Sequence, residues 1–300
     1  MREVDSLRRF LFEDAPLRGH WLRLEESWRA AREYQHHPAA IVALLGEALA
    51  AVSLLAASLK FRGTATLQLR GNGLLPLLIV QCTHDRQLRG VAQPLEGAVI
   101  ADDVPLAALV GDGQLIVTVD NEEGMPWQGI VPLTGETLAA CLERYFETSE
   151  QLPTRLVLAA DGHRAAGLLL QKLPSPDDTG EGEEGRRRDL WDEATVLLAT
   201  LGGRELLDTE ADVLVHRLFA EHDLRLFEGD AVKFGCRCSP ERVANLLRSL
   251  GEAEARDVLA EQGAITVTCE FCHRPYRYDA IDVAQLFADT PAPDASGSVN

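Results

Sequence analysis

Apolar and polar residues alternate over Gly63–Leu69 (GTATLQL), the period of a strand with one covered face. Asn72-Gly73 then marks a tight turn before the apolar run Leu74–Cys82 (LLPLLIVQC). Gln114–Val119 (QLIVTV) predicts a further strand, and Arg155–Ala160 and Ala166–Leu170 flank Asp161-Gly162 as the arms of a hairpin. Between them Leu138, Cys141, Leu142, Tyr145 and Phe146 fall at i, i+3, i+4, i+7 and i+8, one apolar stripe along a helix. Together these elements predict an α+β domain over residues 1–173. Cys141 on the helix stripe and Cys82, alternating with Leu78 and Val80, read as small core hydrophobes.

One apolar run breaks the pattern. Ala39–Leu59 (AAIVALLGEALAAVSLLAASL) is long enough to span a bilayer, but it is dominated by Ala and holds Glu47 near its middle. A mid-membrane acid costs about 2.5 kcal/mol or more, so the run predicts a helix buried inside a globular domain, with no membrane partner.

The stretch Pro174–Arg188 (PSPDDTGEGEEGRRR) is too poor in apolar residues to pack and reads as a solvated tether. Asp189 opens a helical stretch that ends at Gly202-Gly203, and Thr209 begins another, with Val213, Leu214, Leu218 and Phe219 as its apolar stripe. Residues 174–233 are therefore expected to be a linker, flexible at first and then helical. Residues 234–289 form a small α+β module, and the tail 290–300 is compositionally disordered.

That module carries the chemistry. Cys236-Arg-Cys238 and Cys269-Glu-Phe-Cys272 are two tight pairs separated by one supersecondary unit, the arrangement a tetrahedral Zn²⁺ site needs. Ser239, Pro240 and Glu241 supply an N-cap, a first-turn proline and an acid for a helix stopped by Gly251. A second helix runs from Glu252 to Gln262. Ile265–Thr268 leads into the second pair, Arg274–Tyr278 returns as its partner strand, and Asp279 caps a last helix through Phe287. A module of this size relies on its metal for folding, and its thiolates are also the form that oxidants attack.

Three other readings of the cysteines remain open at this point. A purely structural zinc knuckle fits the spacing. Cys269-x-x-Cys272-His273 also matches covalent haem attachment, although that leaves Cys236 and Cys238 unexplained. A thiol–disulfide oxidoreductase needs its Cys-x-x-Cys at the start of a helix, whereas here Arg274-Pro275 follows. His273 is expected beside the metal site rather than in it, and the remaining histidines lack partners at ligand spacing.

Charge narrows the partners. A net charge of −18 argues against nucleic acid, which requires a basic surface. The N-terminus shows no secretory signal, and closely paired free thiols suit a reducing compartment, so a cytoplasmic location is expected. No catalytic triad, phosphate loop or nucleotide fingerprint is present.

The chain resembles the redox-regulated holdase chaperones of the heat shock protein 33 family. The resemblance rests on FGCRCSPERV and VTCEFCHRPY around the cysteine pairs, on GETLAACLERYFETSEQLPTRL (Gly135–Leu156), and on WQGIVPL and GLLLQKLP in family order. It implies a client-binding α+β domain, a helical linker and a zinc-binding redox domain, in a protein that is not an enzyme. It also implies that Cys236, Cys238, Cys269 and Cys272 hold one Zn²⁺ when reduced. Oxidation would form the disulfides Cys236–Cys238 and Cys269–Cys272 and release the zinc. The linker would then loosen, unfolding client proteins would bind without ATP, and the active form could be a homodimer.

Overall fold

The computed structural model describes residues 4–122, 124–174 and 181–288, with backbone alone over 181–189. In chain order the elements are β1 (Ser6–Phe12), β2 (Leu17–Leu24), α1 (Glu26–Arg32), α2 (Ala39–Ser58), β3 (Gly63–Arg70), β4 (Leu77–Thr83) and β5 (Gln87–Gln93). Next come α3 (Leu106–Val110), β6 (Gln114–Asn121), β7 (Trp127–Pro132), α4 (Leu138–Tyr145) with a π turn over Phe146–Glu150, β8 (Thr154–Ala160) and β9 (Ala165–Lys172). Then follow α5 (Glu181–Ala199), α6 (Gly203–Asp208), α7 (Ala211–Leu218), β10 (Leu224–Leu226), β11 (Asp230–Ala231) and β12 (Lys233–Phe234). The chain ends with α8 (Pro240–Leu250), α9 (Glu252–Gln262), β13 (Ile265–Thr268), β14 (Pro275–Tyr278) and α10 (Ala280–Ala288). Contacts divide it into two units, Met1–Gly235 and Cys236–Asn300.

In the first unit the alternating segments form a sheet of order β12-β5-β4-β3-β6-β7, antiparallel except where β12 joins β5. Ala65, Leu67, Leu78, Val80, Leu115 and Val117 point from its covered face toward α2, while the intervening residues face outward. The second sheet has the order β10-β1-β2-β9-β8, with β11 also paired to β1. Helix α2 packs against strands of both sheets. The approach is close at Gly46, where a Cβ would lie 2.5 Å from Ala160 Cβ. Among the described residues α2 is the one helix apolar enough to cross a membrane, and it is mostly buried within the fold. Glu47 bears the consequence: burial raises its carboxyl to about 7.

The other face of the second sheet is covered by the segment that follows it. Phe10, Phe12, Trp21, Leu168 and Leu170 pack with Trp191, Leu198, Leu206, Leu214 and Phe219 in a core of their own. Phe219 is fully buried, its ring 5.1 Å from Phe12 and 5.9 Å from Phe10. Ion pairs fasten the rim: the fully buried Arg23 reaches Glu210 at 2.7 Å, Arg164 reaches Asp208 at 2.7 Å, and Arg8 reaches Asp212 at 2.8 Å.

Of the expected linker, the described residues 190–233 therefore belong to the first unit, as a cover whose trailing strands complete its sheets. The expected tether is helical from Glu181, because Glu and Arg are good helix formers and outweigh Gly182 and Gly185; residues 175–180 lie outside the described residues. Helix α6 occupies part of the expected break, and α7 starts at Ala211 rather than Thr209. Val213 is exposed: the buried stripe of α7 runs through Ala211, Leu214 and Val215.

The second unit follows the sequence reading closely. Ser239 caps α8 by accepting from Arg242 N, Gly263 ends α9 at a φ of +74°, and Asp279 accepts from the Ile281 and Asp282 N–H groups at the start of α10. Among the described residues its buried cluster is Leu247, Ala255, Ile265, Val283 and Leu286, a small core for such a unit. The tail 290–300 lies outside the described residues.

Candidate metal centre

Cys236 and Cys238 sit in the short segment before the Ser239 cap, and Cys269 and Cys272 at the tip of the β13–β14 hairpin. There the Cys269 N–H donates to Arg274 O at 3.0 Å and the His273 N–H to Cys269 O at 2.9 Å. His273, at a φ of +58°, turns the chain back. The Tyr278 hydroxyl donates to Pro240 O at 3.1 Å and ties the hairpin to the first turn of α8.

This scaffold brings all four sulfurs within 4.8 Å of one another. Cys236 Sγ lies 3.8 Å from Cys269 Sγ, and Cys238 Sγ lies 3.4 Å from Cys272 Sγ. A tetrahedral ion with metal–sulfur bonds of about 2.3 Å spaces its ligands about 3.8 Å apart, so the cluster has the dimensions of such a shell. Every cysteine is a free thiol. Burial, and behind it the sulfurs of Cys238, Cys236 and Cys269, push the buried Cys272 thiol upward against the pull of the Arg274 N–H. Four sulfurs this close ionise together only around a cation. The donor set therefore fits a metal ion, and among the described residues the convergent group contains no histidine, so His273 stays outside it. Tyr276 was not singled out in the sequence. Its hydroxyl is buried beside Cys238, and burial followed by that sulfur raises it to about 12.

Cys82 and Cys141 lie away from this cluster, each 1% exposed within the core of the first unit. Burial pushes Cys82 up to about 11 and also raises Cys141. The Cys269–Cys272 turn leads into strand β14, not into the helix that such a pair opens in thiol–disulfide oxidoreductases.

The sequence matches the family described as Hsp33 protein over residues 5–279. The chain belongs to the Hsp33 family. Among Hsp33 relatives, the 33 kDa chaperonin of Pseudomonas paraeruginosa is 46% identical over 289 residues, 96% of each chain. That of Shewanella woodyi is 43% identical over 290 residues, 97% of this chain and 98% of the relative. The crystal structure of the Thermotoga maritima 33 kDa chaperonin superposes with a TM-score of 0.74 over 95% of this chain and 98% of its own, at 23% identity, and shows that the fold is shared.

Sequence reasoning placed the four cysteines but missed the covered face of the second sheet. The strands that build it carry Arg8, Arg9, Arg18, His20 and Arg23 among their apolar residues. The available signal was Phe10 and Phe12, two residues apart and so on one face of a strand.

Proposed function

We propose that this chain is an ATP-independent holdase chaperone, switched on by oxidation of Cys236, Cys238, Cys269 and Cys272. The observation that carries the reading is a cluster of four free thiols with tetrahedral dimensions in a unit with a small buried core. Zinc is the ion that best suits four cysteine ligands, and when bound it supplies the charge that keeps them as thiolates. Peroxide takes two electrons from each pair. One thiolate attacks a peroxide oxygen to give a sulfenic acid and release hydroxide, and the second displaces hydroxide as the S–S bond forms. Disulfides within each pair, Cys236–Cys238 and Cys269–Cys272, follow the family resemblance.

Oxidised sulfurs no longer hold the metal, and the second unit loses a main source of its stability. Loosening of the 190–233 cover then bares two apolar surfaces, its own Leu198, Leu214 and Phe219 and the sheet face of Phe10, Phe12 and Trp21. Unfolding or oxidatively damaged proteins bind there by hydrophobic contact, and the net charge of −18 keeps the complexes soluble. The same surfaces allow the active form to dimerise. The protein acts in the cytoplasm, without catalysis. Light scattering of a thermally unfolding client, with reduced and oxidised protein compared in the absence of nucleotide, tests the proposal. Suppression by the oxidised form alone, with zinc release and loss of four thiols, is expected. Equal behaviour of the two forms removes the switch.

A further inference from the structure

A cavity of about 300 Å³ opens in the first unit where β1 and β2 meet the chain between β10 and β11. Arg9, His20, Arg86 and Phe227 line it, with Glu228 and Asp230 also on its wall. His20 is 2% exposed, and its Nδ1 has no hydrogen-bond partner. The volume leaves room for a small polyatomic ion together with waters of about 30 Å³ each.

The charges around the ring select the ligand. Arg9 pairs cross-strand with His20 and stacks 4.3 Å over Phe227, and no carboxylate lies within salt-bridge reach of it among the described residues. Arg86 shares its charge with Asp230 at 2.6 Å, and both acids of the wall are exposed. Arg18, on the same face of β2, is held by Gln171 and Ser58 O. Burial first, then the guanidinium groups of Arg18, Arg9 and Arg86, lower the His20 imidazole to about 3. At neutral pH the ring is therefore uncharged, and Arg9 is, among the described residues, the wall's cation that no acid holds.

We propose that this cavity is a binding site for a tetrahedral oxyanion of the phosphoryl class, with the His20 ring on its wall and Arg9 closing over it. Arg86 is shared between the ligand and Asp230. Free inorganic phosphate and the phosphoryl group of a nucleotide present the same chemistry.

Titration of the full-length, zinc-loaded, reduced protein, labelled with ¹⁵N at histidine, with inorganic phosphate and separately with AMP, tests the site. Ionic strength is held constant with NaCl, because phosphate also stabilises proteins by exclusion from their surface. One imidazole pair is expected to shift saturably and to vanish in His20→Gln. Arg9→Ala, a change at an exposed position, is expected to keep the fold and to weaken binding roughly tenfold or more. Saturation by phosphate but not AMP assigns the free ion, and tighter binding of AMP assigns a nucleotide phosphoryl group. The site is overturned if neither ligand produces a saturable shift, or if Arg9→Ala binds as tightly as the parent.

Discussion

Phe219→Ala separates the cover from the metal. Phe219 is fully buried against Phe12 and Phe10, at the end of α7 and within the core that joins the cover to the sheet. Truncating a buried Phe costs about 3–5 kcal/mol, part from lost burial and part from the cavity left behind. The other core of the first unit, around α2, does not include this residue, so the loss falls mainly on the docking of residues 190–233. At about 1.4 kcal/mol per tenfold, the ratio of open to closed cover rises more than a hundredfold. The cysteines are untouched. Reduced, zinc-loaded Phe219→Ala is therefore expected to suppress client aggregation without oxidant, while the reduced parent stays inactive. Hydrogen exchange across 190–226 establishes that the cover has loosened, and a metal assay establishes that zinc is retained. A loosened cover and retained zinc with no suppression would refute the claim that the cover masks the binding surface.

Glu47→Gln tests the buried acid of α2. Its folded pKa of about 7 lies above the 4.5 of an unperturbed glutamate, so its favourable contribution is full below pH 4.5 and is lost as pH rises through 7. The variant should match the parent near pH 4 and exceed it at pH 8 by up to about 3 kcal/mol in urea melts; equal midpoints at pH 8 would contradict the assignment. Replacing Cys82 and Cys141 together with Ala should lower stability but leave peroxide activation intact, read as thiol loss and scattering; failure to activate in a folded variant would place one of them in the switch. Chelation of the reduced protein should strip hydrogen-exchange protection from 240–286 while that of 17–24 and 165–172 persists; protection unchanged throughout would show that the metal is dispensable for the fold.

Alternation made β3 legible, and the Asn72-Gly73 turn with apolar runs made β4 and β6 so, in a sheet that covers one face and leaves the other in contact with water. The Asp161-Gly162 turn located β8 and β9, and capping residues located α8, α9 and α10 nearly residue by residue. The four-cysteine site was legible for a similar reason: both pairs lie on local turns, and a short hairpin and one cap suffice to bring them together. β1 and β2 were not legible. Their sheet is covered on both faces, so alternation is lost, and the buried Arg23 and His20 disguise what remains. Arg23 is accommodated because Glu210, nearly two hundred residues away, meets it at 2.7 Å. The same distance in sequence hid the cover. A tether and an amphipathic helix have one pattern whether they dock or not, and only the tertiary structure places Phe219 on Phe12. The sequence determined where four sulfurs can converge on a metal, because both pairs ride on local turns; the packing of residues 190–233 decided which apolar face of the second sheet is covered.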